Sequence, residues 1–175
     1  KHSDFSPAFE SGDRMLGTSE NTKRCAELNT TARLVNTLPL DPKRVIINRV
    51  DMTTFSGNYY LYDVTTDRTE LLFRGNPESS AGLFDDRTGE LLTRNDLEYF
   101  GDSDYEESIM IRNPDSGDFE VHDELTTMLT DRVTVRIIER DEETGKYYVL
   151  TDKFSDWAEV WMYDAKTRKF DEEPL

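Results

Sequence analysis

The chain has 175 residues, enough for one domain with a real core or for part of a larger one. Its formal charge of −16, from 37 Asp+Glu against 21 Lys+Arg, makes it a poor binder of polyanions, because phosphates are held mainly by Lys and Arg; nucleic acid and anionic membrane are not expected partners. Hydrophobic residues make up only 35 %, but 11 % aromatics and dense β-branched runs point to folded sheet rather than disorder.

The chain opens on KHSDFSPAF, which lacks the apolar core of a signal peptide, and no stretch approaches the ~20 apolar residues that cross a bilayer as a helix. A strand-like piece, SPAFESGDRMLGTS, covers 6–19. The segment 22–38, mostly within NTKRCAELNTTARLVNT, does not alternate like a hairpin; either it is an irregular connection with room for one helical turn, or the strand motif before it is the remnant of a repeat whose rest is absent. Residues 1–33 are therefore expected to be an irregular N-terminal segment with one strand motif.

From there the pattern is almost entirely strand. RVIINRV (44–50), NYYLYDV (58–64) and TELLFR (69–74) come first, followed by SAGLFDD and GELLTRN around a turn at Asp86 to Gly89. ESIMIRN (107–113) and DFEVH (118–122) flank an NPDSG turn, and ELTTML (124–129) is the one segment expected to form a short helix. RVTVRIIER (132–140), KYYVLT (146–151) and AEVWMYD (158–164) complete the set.

Two spaced echoes organise these strands. YLYDVTTDR, IMIRNPDSGD and VWMYDAKTR place an apolar run before Asp63, Asn113 and Asp164, at steps of 50 and 51 residues. Asp and Asn favour turns because their side chains bond the backbone two residues on, so each copy predicts a hairpin. The second echo runs from polar turns into apolar stretches at 10–21, 40–51, 86–96 and 142–153, with Leu16, Ile46, Leu92 and Tyr148 at equivalent points and steps of 30, 46 and 56. A hairpin returning about every 50 residues predicts an all-β, propeller-like array of antiparallel blades, since propeller repeats have roughly that length. About three blades are expected, near 34–80, 81–125 and 126–175. Propellers close with typically 4–8 blades, so this array is incomplete. The chain is expected to belong to a longer polypeptide, or to close a ring by self-association through exposed blade edges.

NTLPLDPKRVIINR, NYYLYDVTTDRTELLFRGNP and AGLFDDRTGELLTRND resemble the β-propeller portion of the prolyl oligopeptidase-like serine peptidases. The matching positions are Leu38 to Pro42, Tyr60 to Asp63, Asn76 to Pro77, Asp86 to Gly89, and Arg94. The stretch at 6–19 also resembles a strand motif of these and other TolB-like propellers. The resemblance covers about residue 34 to the end plus that short piece, and it consists of structural motifs only. It implies an accessory, non-catalytic propeller fragment that gates or positions peptide substrates for an α/β-hydrolase domain of the parent protein, absent from this chain. The chain has no Gly-x-Ser-x-Gly nucleophile elbow. Alternatives are a stand-alone propeller-like binding or scaffold module and, more distantly, an enzyme such as a glycosidase.

No catalytic, cofactor-binding or metal-binding residue set is expected here. Only His2 and His122 could serve as a base; His2 is near the first residue, and His122, ending a strand in DFEVHDEL, reads as an exposed polar position. Cys25, the one cysteine, has no marked partner base and leaves the compartment open. Asp102, Asp104, Glu106 and Glu107 are the best calcium candidates but read as a solvated loop, because the glycine and closing Glu of an EF-hand loop are missing. Tyr59, Tyr60, Tyr62, Tyr147, Tyr148, Trp157, Trp161 and Tyr163 could form a sugar or peptide platform, although core packing explains most of them. Asn29-Thr30-Thr31 is a formal glycosylation sequon.

Overall fold

The computed structural model describes residues 32–51, 54–100 and 104–175. Within them the chain is all-β, in three four-stranded antiparallel sheets. The first holds β1 (Arg33–Asn36), β2 (Arg44–Asp51), β3 (Ser56–Asp63) and β4 (Arg68–Arg74). The second holds β5 (Ser79–Ala81), β6 (Thr93–Phe100), β7 (Asp104–Arg112) and β8 (Phe119–Met128). The third holds β9 (Val135–Arg140), β10 (Tyr147–Thr151), β11 (Glu159–Asp164) and β12 (Lys169–Phe170). Strand order follows chain order in every sheet, so each is a meander in which consecutive strands pair.

Among the described residues, the three copies of the first echo and two copies of the second share one turn. Asp63–Asp67, Asp85–Gly89, Asn113–Gly117, Asp141–Gly145 and Asp164–Arg168 all read Asp/Asn-x-x-Thr/Ser and end on a residue with positive φ, at 58°, 76°, 78°, 73° and 58°. The leading carboxylate or amide oxygen caps the turn. Asp63 Oδ1 accepts from the Thr65 and Thr66 amides at 2.8 and 3.0 Å, Asn113 Oδ1 from Asp115 and Ser116 at 2.8 and 3.3 Å, and Asp164 Oδ1 from Lys166 at 2.8 Å. The fifth amide returns to the first carbonyl at 2.9 Å in Asp67, 2.8 Å in Gly117 and 2.8 Å in Gly145. The first echo thus marks the third hairpin of each sheet. The second marks the first connection of each sheet, where the first sheet uses Asp41 and Pro42 instead.

The chain divides into two compact units: the described residues up to Pro77 with Asp86–Gly89, and Glu78–Asp85 with Glu90–Leu175. In the first unit, Leu38, Ile46, Ile47 and Leu61 are buried, and the backbone of Gly89 lies against Leu38 and Leu61. In the second unit the two sheets share one core. Ile109, Ile111 and Leu125 of the β5–β8 sheet pack with Tyr147, Val149 and Tyr163 of the β9–β12 sheet, flanked by Leu83, Val135, Ile137 and Phe170.

Three expectations are corrected. ELTTML is not a helix: Glu124–Met128 continue β8, held by pairing of Ser108 with Thr126, Glu107 with Thr127 and Glu106 with Met128, and only a 3-10 turn follows at Leu129–Asp131. Cross-strand pairing of β-branched residues outweighs local helix propensity there. The described part of 22–38 is not irregular throughout, since Arg33–Asn36 form β1 against β2. The acidic stretch read as a solvated loop is strand from Asp104 onward, paired to β6 with Tyr105 opposite Tyr99 and Glu106 opposite Glu98. The motif at 6–19, His2, Cys25, Asn29 to Thr31 and Asp102 lie outside the described residues.

Candidate functional site

The chemistry-bearing residue that the structure singles out is His122, and it stands where the sequence did not put it. It lies within β8 rather than at a strand end and is 2 % exposed, not a surface polar residue. A bulge where the β7–β8 register shifts between Ser108 and Met110 leaves extra β8 residues in that region, and both His122 and Leu125 are buried there. The ring is held by Tyr163 of β11, with His122 Nδ1 and Tyr163 Oη 2.8 Å apart and the rings edge to face at 5.7 Å. Burial, and secondarily the Arg168 guanidinium, push the imidazole below its ordinary pKa; burial pushes the Tyr163 phenol up to about 12. Both groups are therefore neutral at pH 7.

This hydrogen bond joins one sheet of the second unit to the other, and it has two charged companions. Arg168, at the left-handed position of the β11–β12 turn, bonds Glu120 Oε2 at 2.7 Å and the Val121 carbonyl at 3.3 Å. Lys153, after β10, bonds Glu124 Oε2 at 2.7 Å and the Glu124 carbonyl at 3.0 Å. All three ties end on β8. Asn113 bonds Glu120 from the same sheet at 2.8 Å, and this bond, more than Arg168, holds the Glu120 carboxyl below its usual range.

The arrangement does not assemble a nucleophilic triad. Tyr163 is fully buried, and the His122 ring is enclosed with it, so neither can meet a substrate in this packing. Among the described residues no group of three or more His, Cys, Asp or Glu side chains could hold a metal ion, and no helix is long and apolar enough to cross a membrane. Of the calcium candidates, Glu107 instead accepts from Asn95 Nδ2 at 2.9 Å, on the β6–β7 hairpin.

The aromatic residues divide by role. Tyr147, Trp161 and Tyr163 are buried in the second unit, where the Phe154 ring lies tilted 4.5 Å from Trp161 and Phe170 lies 4.9 Å from Tyr163. Tyr59, Tyr60, Tyr62 and Tyr148 are half-buried on strands, and Tyr62 donates to Asp67 across its turn at 2.9 Å. Trp157, in the β10–β11 connection, is exposed and belongs to no platform formed by the others. The sequence carried one signal for His122 that was missed: it sits three residues before Leu125 in a run that continues as Thr126 and Thr127, long enough for a strand passing through the core.

No protein-family model matches the sequence, and no curated protein or solved structure matches it.

Proposed function

We propose that the three sheets are consecutive blades of an incomplete β-propeller. In this reading the chain is non-catalytic and gates or positions peptide substrates for an α/β-hydrolase domain of a prolyl oligopeptidase-like peptidase. The observation that carries the reading is the recurrence of one unit, a four-stranded antiparallel meander closed at its third hairpin by the same capped turn at Asp63, Asn113 and Asp164. Repeat arrays of this kind bury sheet faces against their neighbours, which explains strands that are apolar on both faces, as in Tyr147 to Leu150. The resemblance of 34–175 to the peptidase propellers supplies the partner and the substrate class.

Two measurements test it. The coding sequence that follows Leu175 should contain a Gly-x-Ser-x-Gly strand-turn-helix segment and later Asp and His; a stop codon there would sink the peptidase reading and leave a stand-alone binding module. The isolated chain should neither turn over aminoacyl or prolyl chromogenic substrates nor react with a serine-directed phosphonate. Labelling of any serine in this chain would overturn the non-catalytic role.

A further inference from the structure

Inside the second unit, β8 is fastened to the β9–β12 sheet by one neutral hydrogen bond and two ion pairs. We propose that the His122–Tyr163 contact is an acid-sensitive latch: a proton on His122 releases β8 from the β9–β12 sheet, and β8, an edge strand no longer held there, frays from β7 while the remaining strands of both sheets stay paired. This inference is independent of the hydrolase reading.

The geometry sets the direction. A neutral imidazole fits a site where the residue is 2 % exposed and its Nδ1 meets the Tyr163 hydroxyl. An imidazolium in the same place must give up water for a single phenol oxygen, and a charge so buried is stable only when paired. The charged groups around it do not supply a clean partner. On β8, Glu120 and Asp123 attract the proton, but Glu120 is already engaged by Asn113 and Arg168. On the β11–β12 turn, Arg168 repels it. Around the Tyr163 hydroxyl, Asp123, Glu124 and Asp164 disfavour a phenolate, so Tyr163 does not become the counter-ion. The core cluster that holds its partner Tyr163, with Ile109, Ile111, Leu125, Tyr147 and Val149, offers no group charged at neutral pH.

His122 has a folded pKa below its unfolded value of 6.5, so its contribution to closure is complete above about pH 6.5 and is lost as pH falls below that value toward the folded pKa. Glu120, whose folded pKa is also lowered, loosens its tie to Arg168 only in more acid solution, below its ordinary 4.5. Opening therefore begins with His122, and the Glu120 tie follows at lower pH.

With only two histidines in the chain, the imidazole Cε1–H resonances in a proton–carbon NMR spectrum are assigned with one His2→Gln variant. In the intact 175-residue protein the His122 resonance should titrate below 6.5. Hydrogen exchange, corrected for intrinsic rates, should show β8 protection falling between about pH 7 and about pH 5 by no more than ~10-fold per pH unit, the limit for one linked proton. H122Q, which keeps a polar side chain but cannot titrate in this range, should hold β8 protection within ~2-fold over the same interval. Y163F keeps the ring and removes the hydroxyl, so its β8 protection should already be reduced at about pH 7. Ordinary titration of His122, pH-independent β8 protection in the wild type, or an equal acid loss in H122Q would each overturn the latch; the first two need no variant to fold.

Discussion

Replacing Gly117 by Ala isolates what the repeated turn demands of its fifth residue. Gly117 has φ of 78°, and a Cβ built on it meets nothing within 4 Å, so the substitution adds no clash and removes no contact. What remains is conformational. A residue with a Cβ costs roughly 1–2 kcal/mol in the left-handed region, while losing glycine's freedom in the unfolded chain returns about 0.4–1 kcal/mol. The net expectation is a destabilisation of about 1 kcal/mol. Against a urea m-value of ~2 kcal/mol per molar, the midpoint should fall by about 0.5 M.

Both tryptophans, Trp157 and Trp161, lie in the second unit together with Gly117, so tryptophan fluorescence during urea unfolding follows the unit that carries the change. G117N is the control. Asn is larger than Ala but tolerates the left-handed region, so it should cost less than Ala at this open position. If G117A is neutral, or if G117N is the more damaging of the two, the conformational account of the five turns is wrong and side-chain packing must be sought in its place.

Two further outcomes follow from the first unit. Gly75→Ala should destabilise it by about 1–3 kcal/mol through overpacking, because its Cβ would sit 2.5 Å from the Gly57 carbonyl oxygen, which accepts the Gly75 amide at 3.1 Å; circular dichroism on urea unfolding measures it, and an unchanged midpoint would refute the close approach. Asp63 accepts from the Thr65 hydroxyl and the Thr65 and Thr66 amides, which hold its carboxyl down to about 2. Its contribution is present above its ordinary value of 3.8 and is lost as pH falls toward about 2, so Asp63→Asn should flatten the acid loss of stability in that window, and an identical acid profile would refute the cap.

Most of the strand set was legible because period-2 runs and turn residues are local signals. Val45 to Val50 and Tyr147 to Thr151 could hardly be anything else. What escaped depended on partners far along the chain. Arg33–Asn36 is too short and polar to announce itself and becomes a strand because β2 lies beside it. Asp104 to Glu107 look solvated until Tyr99 is placed opposite Tyr105. His122 reads as a surface residue because the bulge in β8 breaks the alternation from which its face would be inferred, and its partner Tyr163 is 41 residues away.

The same contrast bears on how the sheets form. Each turn carries its own five-residue pattern: a leading Asp or Asn, a Thr or Ser, and a left-handed fifth position. Because strand order equals chain order in all three sheets, every ladder joins neighbours in sequence and each turn sets the register of the next pair. Contacts between sheets in the second unit come from farther apart, as His122 to Tyr163, Glu120 to Arg168 and Glu124 to Lys153 do. Local ladders with low sequence separation form ahead of such ties, because less loop-closure entropy is lost in making them. The interface between the two sheets rests on these longer-range ties, and they include His122, which takes a proton only below its ordinary 6.5. On the proposed latch, acid loosens that interface and the β8 edge, while the turns of the second unit keep their own capping bonds.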